Sequence, residues 1–159
     1  MNYTITVSLK VYTNHYVHST KRVFSKNAGG VEKAETTFNY RIIWPIIDAV
    51  VDMMDDEVTF LPGELNLKSF DDLDMEYKAD GAGFVKNHEI LLLETSGAYG
   101  NTSAPRWAYN HVKGTFGTLS MLRALVRKYS FASMELLQRC RIWFMHVRGL
   151  WFISRLEWY

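Results

Sequence analysis

The run Ile90-Leu91-Leu92-Leu93 is followed at once by Glu94, and that junction constrains the fold more than any other stretch of the chain. Four consecutive large aliphatic side chains suit a strand covered on both faces. A carboxylate directly behind such a strand is costly, because removing an unpaired ion from water costs on the order of several kcal/mol. Glu94 therefore needs a partner, either a cationic side chain or a metal ion. The preceding segment, Lys78 to Val85, is extended in pattern and runs into the polar turn Lys86-Asn87-His88. Folded as a hairpin, these two segments bring Asp80 and Glu94 together from neighbouring strands.

The surrounding pattern predicts a mixed α/β domain around one central sheet. Tyr3, Ile5, Val7, Leu9 and Val11 alternate with polar residues as in a half-buried strand. A polar loop over 13–30 leads to a helix expected over 31–54, with Ala34, Phe38, Ile42, Ile46, Ala49, Val50 and Met53 on its buried stripe. Pro45 should kink or break it. Val58 to Leu61 reads as a short strand stopped by Pro62-Gly63, and Leu65 to Asp74 as loop. Met75 to Asp80 and Glu89 to Ser96 read as strands. A second helix is expected over 107–129, with Val112, Phe116, Leu119, Leu122 and Val126 facing the core, and a short one over 134–140. A C-terminal hairpin is expected over 142–158, turning at Arg148-Gly149.

A chain of 159 residues with 48% hydrophobic content fits one packed domain spanning 1–159. No apolar run is long enough to cross a bilayer, and the first residues lack the layout of a secretory signal. The single cysteine, Cys140, forms no internal disulfide, so the expected setting is intracellular, nuclear or cytoplasmic. Charge is uneven. Residues 1–30 carry four basic and no acidic side chains, residues 31–103 five and fifteen, and residues 104–159 nine and two. An acidic centre between basic ends fits a metal site within a phosphate-binding surface; it equally fits separate solvated faces.

Glu35 precedes Phe38 and Ile42 on the first helix and so shares its buried stripe. Three carboxylates, Glu35, Asp80 and Glu94, arriving from a helix and two strands would suit a hard cation such as Mg²⁺. The competing reading is that Glu94 pairs with Lys78, Lys113 or Arg106.

The order of Glu35 in a helix, Asp80-Gly81 on a strand, Glu94-Thr95-Ser96 ending the next strand and a helix thereafter resembles the PD-(D/E)XK, or restriction endonuclease-like, nuclease superfamily. The resemblance covers about residues 31–147 and includes the divergent nuclease-like proteins of fungi and effectors. It implies Mg²⁺ held by Asp80 and Glu94, assistance from Glu35, and hydrolysis of a DNA phosphodiester. The chain departs from the motif at Ser96, which takes the place of the lysine that positions the attacking water and stabilises charge on the phosphate. Loss of such a donor costs roughly 10²–10³ in rate. Lys113, Lys78 or Arg106 could restore the charge. Otherwise the chain is a pseudo-nuclease that binds nucleic acid or protein.

Other signals are weaker. His15, His18, His88 and His146 have no spacing that suggests zinc. The Gly97-Ala98-Tyr99-Gly100 stretch lacks the lysine of a P-loop. Trp143, Phe144, Trp151, Phe152, Trp158 and Tyr159 make the C-terminal hairpin aromatic, which suits core packing, base stacking, or contact with a second copy or protein partner.

Overall fold

The computed structural model describes residues 29–54, 57–148 and the backbone of 151–154. The chain divides into two compact units, Met1–Gly30 and Val31–Tyr159, and the sheet and its helices belong to the second. The expected strand from Tyr3 to Val11 and the residues after Ser154 lie outside the described residues.

The architecture is mixed α/β. Among the described residues its sheet has five strands in the order β1-β2-β3-β4-β5, formed by Val58–Asn66, Lys78–Val85, His88–Thr95, Trp143–Arg148 and Trp151–Ser154. The first three strands form an antiparallel meander, β4 joins β3 in parallel, and β5 returns antiparallel to β4. The β3–β4 crossover carries the long helix α3, Ala104–Lys128, and the short helix α4, Met134–Leu137. No helix among the described residues is long and apolar enough to cross a membrane.

The first helix departs from its expected course in an informative way. It opens as α1, Glu35–Phe38, widens into a π-helical turn at Asn39–Ile43 and resumes as α2, Trp44–Val51. Pro45 falls in the first turn of α2, directly after the π turn, so the hydrogen bond that it cannot donate is lost where the two helical geometries meet. The wide turn inserts an extra residue and rotates everything after it. The buried stripe therefore runs Phe38, Ile42, Ile43, Ile47, while Val50 and Met53, expected in the core, are exposed.

β1 also differs from expectation: it continues through Pro62-Gly63, with its register shifting between Pro62 and Leu65. Among the described residues β1 pairs only with β2, and proline is tolerated on such an edge. Part of the expected loop after it is a 3₁₀ helix, Lys68–Leu73, whose first amides donate to Glu89 at 2.7 and 3.1 Å.

β3 is covered on both sides, as its apolar run requires. Leu92 faces α3, and Thr95 on the opposite face donates its hydroxyl to Asn39 Oδ1 of the π turn at 2.8 Å. One core cluster joins Leu67, Phe70, Tyr77, Leu92, Met121, Ile142 and Phe144. The face that α3 turns to the sheet corrects the sequence expectation. It consists of Gly114, Gly117, Thr118 and Met121, with the expected Leu122 partly buried against the core, whereas Val112, Phe116, Leu119 and Val126 are exposed. Phe144 is 4% exposed and belongs to the core, so it is not part of an aromatic contact surface.

The glycines explain the choice of face. A Cβ on Gly117 would sit 2.6 Å from Leu92 and 2.7 Å from the Tyr77 ring, and one on Gly114 would strike the Phe144 ring. The helix lies too close to the sheet for larger residues. Gly117→Ala is expected to lower stability by about 1–3 kcal/mol through overpacking, since the ~1 kcal/mol gained in helix propensity offsets only part of the strain. Urea denaturation checks this; an unchanged midpoint would contradict so close an approach.

Candidate active site

Antiparallel register sets the two acids face to face. Gly81 pairs with Leu93, so Asp80 and Glu94 occupy the next positions on β2 and β3, where the ladder ends. Asp80 Oδ2 accepts the Thr95 amide at 2.7 Å, and the Asp80 carbonyl accepts Trp44 Nε1 at 3.0 Å. No hydrogen bond among the described residues reaches Asp80 Oδ1.

Glu94 is 1% exposed and has the partner that its burial demands. Lys113 Nζ, from the third turn of α3, lies 2.9 Å from both Glu94 oxygens and donates to the Lys78 carbonyl at 2.6 Å. Those three bonds use all three ammonium protons. The ammonium also stands 4.8 Å from the Tyr77 ring centroid, and Tyr77 donates its hydroxyl to Glu94 Oε1 at 2.9 Å. Lys78 itself turns outward, 3.8 Å from Glu76, with 56% of its side chain exposed. Of the cations considered from sequence, Lys113 is the one delivered to Glu94.

Burial dominates the electrostatics. Desolvation, then the charge of Asp80, pushes Glu94 up to about 7, although Lys113 and Tyr77 pull the other way. Desolvation pushes Asp80 up to about 6; the Thr95 amide opposes this, and the charge of Glu35 adds to it. Burial and the charge of Glu94 also push the Tyr77 hydroxyl well above its usual value, keeping it a donor. Two acids that resist ionisation side by side form a site that favours added positive charge.

Glu35 is near enough to influence Asp80, but its carboxylate is otherwise engaged. Oε2 accepts the Gly97 amide and Arg106 Nη2, the latter at 2.9 Å. Gly97 has φ +94°, and a Cβ there would run into Asn101, so glycine is needed for the chain to turn back toward Glu35. Arg106, expected near Glu94, thus serves Glu35. Among the described residues no three acidic, histidine or cysteine side chains assemble into a metal-holding group. The expected meeting of three carboxylates on one ion is replaced by the pair Asp80–Glu94, with Glu35 fixing the adjoining turn.

Ser96, at the position where the resemblance leads one to expect a lysine, does not face open space. It is 2% exposed, and its Oγ lies 2.6 Å from His146 Nε2. His146 is in register with Glu94 on β4 and is stacked with Trp107, His111 and Phe144. Burial, then His111 and Arg148, drags its imidazole down to about 4, so it is neutral and has one donor and one acceptor nitrogen. Its Nδ1 is 3.4 Å from His111 Nδ1. Asn110 adds a bond to the Thr95 carbonyl at 2.7 Å.

Sequence reasoning missed Tyr77, Asn110, Asn39 and His146. His146 lies fifty residues from Ser96, and only the parallel β3–β4 pairing brings them together. Tyr77 stood three residues before the expected end of its strand and carried a signal in that position alone. A shallow cleft of ≈ 420 Å³ lies beside Glu35, between Lys33, Tyr99, Asn101 and Arg106, but its lining does not include Asp80, Glu94 or Lys113. Compared with protein-family models, curated proteins and solved structures, the chain matches none.

Lys113→Met removes the counter-charge and leaves Glu94 buried. At pH 8 the loss of stability is expected to be about 3–5 kcal/mol. It should shrink at pH 5.5, below the raised Glu94 value of about 7, because the carboxyl is then neutral. The raised acids also set the sign for the parent chain: the folded state holds their protons more tightly, so their contribution to stability falls as pH rises from about 4 to 7. Urea unfolding of both chains at the two pH values checks this; a pH-independent deficit would break the link to Glu94.

Proposed function

We propose that the chain is a Mg²⁺-dependent DNA phosphodiester hydrolase of restriction endonuclease-like type, in which Lys113 on α3 replaces the motif lysine. The observation that carries this reading is the placement of Lys113 Nζ 2.9 Å from both oxygens of Glu94, the acid facing Asp80. The order of first helix, three-stranded meander, long helix and parallel strand supports it as well.

The donor set fits the ion. Asp80 and Glu94 offer hard carboxylate oxygens of the kind Mg²⁺ prefers, and the burial that raises both pKa values disfavours two adjacent negative charges unless a further cation joins them. Bound there, Mg²⁺ supplies polarisation of the phosphate and an acidified water. The chain's residues hold this arrangement in place. Tyr77 and Lys113 fix the Glu94 carboxylate, the Thr95 amide fixes Asp80, and Glu35 holds the Gly97 turn. Lys113 supplies the fixed positive charge that Ser96 cannot.

A second reading rests on the closure of the site. Glu94 is 1% exposed with both oxygens bonded, which suits a pseudo-nuclease that keeps the ion pair as a structural element and binds nucleic acid or protein without cleaving.

Plasmid cleavage in Mg²⁺ or Mn²⁺ separates the two. The hydrolase should lose activity in Asp80→Asn and Glu94→Gln, and Lys113→Ala should cost roughly 10²–10³ in rate; cleavage surviving Asp80→Asn and Glu94→Gln would refute the site. Activity should rise between pH 6 and 8 as the two raised acids, near about 6 and about 7, lose their protons. A salt-sensitive mobility shift without cleavage in either metal would favour the binding module.

A further inference from the structure

Two histidines from different elements meet through the same ring nitrogen. His111 lies on α3 and His146 on β4, 35 residues apart, with their Nδ1 atoms 3.4 Å from each other. The ring centroids are 5.5 Å apart and the ring planes are inclined by 28°. The nitrogens therefore form the facing edges of the two rings, and both point into the gap between them.

That separation is informative. It lies beyond the ~2.7–3.2 Å typical of N–H···O bonds, so one proton shared between the rings would hold them only weakly. It matches two nitrogens on a single tetrahedral ion. With Zn–N bonds of about 2.0–2.1 Å and an angle of about 109°, such nitrogens stand about 3.3–3.4 Å apart. Square-planar coordination, as Cu²⁺ prefers, would draw adjacent nitrogens in to about 2.8–3.0 Å at the same bond length.

The surroundings prepare the pair for an ion. Ser96 Oγ lies 2.6 Å from His146 Nε2. By accepting the Nε2 proton it leaves Nδ1 bare toward the gap, which is the support that metal-binding histidines ordinarily receive. Burial keeps the His146 imidazole neutral, so its lone pair is free at neutral pH. Trp107 stands 5.3 and 5.7 Å from the two rings and Phe144 5.6 and 5.7 Å, which fixes their orientation. His146 is 1% exposed and His111 half-buried, so an ion enters from the His111 side and keeps water in its other positions. Two protein ligands are fewer than a closed structural zinc site uses, and the ion is accordingly exchangeable. Arg148 adds positive charge near His146 and weakens the site, although its guanidinium donates to the Thr102 carbonyl at 2.8 Å.

We propose that His111 and His146 bind Zn²⁺ through their two Nδ1 atoms, tying α3 to β4. The site uses neither Asp80 nor Glu94, whose oxygens suit Mg²⁺ instead, so it stands or falls independently of hydrolase activity.

Calorimetric titration of the full, chelator-treated chain with Zn²⁺ tests this. An Asp80→Asn, Glu94→Gln background removes the acid pair as a competing site and should still bind one ion per chain. Co²⁺ in its place should give the visible absorption of a tetrahedral complex. In that background His111→Gln should weaken Zn²⁺ binding by at least about tenfold, and Ser96→Ala, which removes the partner of Nε2, by roughly 10–100-fold. His111 is half-buried, so His111→Gln leaves no gap in the core, and a second readout accompanies it. Zn²⁺ should raise the melting temperature of the background chain but not of the His111→Gln chain. Absence of Zn²⁺ binding would overturn the proposal, as would binding that His111→Gln leaves intact. Loss of the ion in a His15→Gln, His18→Gln chain would overturn it too, by moving the ligands to the N-terminal segment.

Discussion

Glu94 stands behind a strand buried on both faces, and almost no solvent reaches it. Without a partner, such a carboxylate would either oppose folding or remain protonated. Much of the described architecture bears on its satisfaction. The lysine that meets it comes from a separate helix, and a lysine on that helix reaches both oxygens only if the helix axis lies close to the sheet. Gly114 and Gly117 allow that approach, because any Cβ at either position would collide with the Phe144 ring, or with Leu92 and Tyr77. Tyr77 then completes the shell by donating to Glu94 beneath the ammonium. One buried charge thus accounts for the small residues on α3, the ring beside the lysine and the closeness of helix to strand.

The first helix serves the other side of the same strand end. Its π turn carries Asn39 to Thr95, while Glu35, one turn earlier, grips the Gly97 amide. The widened turn is what lets both contacts occur along one helix that also passes Pro45. Thr95 is held through its hydroxyl, amide and carbonyl by Asn39, Asp80 and Asn110. The residues flanking the acid pair are therefore fixed from three elements, so the two carboxylates are held in one arrangement.

The parts of this arrangement legible in the sequence were those set by local pattern. The apolar run predicted β3, the polar turn predicted the β2–β3 hairpin, and Asp80 and Glu94 followed from their places in it. Lys113 was among several cations that could satisfy Glu94; nothing in the spacing separated it from Lys78 or Arg106, whose roles depend on which way a strand and a loop turn. The outward face of α3 was misjudged for a physical reason. Hydrophobic periodicity identifies an apolar stripe but not what it packs against, and here small residues, which score weakly on such scales, make the inner contact. The π turn escaped notice because a one-residue insertion leaves no compositional trace, yet it moves the stripe from Ile46 to Ile47. His146 and Ser96 could be joined only through parallel pairing across the whole α3 crossover.

Ser96 stands where the proposed nuclease reading expects a lysine, which looks like a simple loss when that position is considered alone. Its surroundings give it a different meaning. Position 96 is buried against His146, an imidazole kept neutral by burial and stacked with Trp107 and with Phe144. A lysine there would bring its ammonium into this aromatic wall beside a ring that resists positive charge, at a large desolvation cost. Serine instead supplies a short hydroxyl that suits either tautomer of the neutral ring. Glu94 points to the same α3-facing side, so its positive partner has to come from the helix above. Ser96, His146, Gly114 and Lys113 are thus best understood as one coupled set: the wall excludes a cation from the strand, and the glycine allows the helix to bring one.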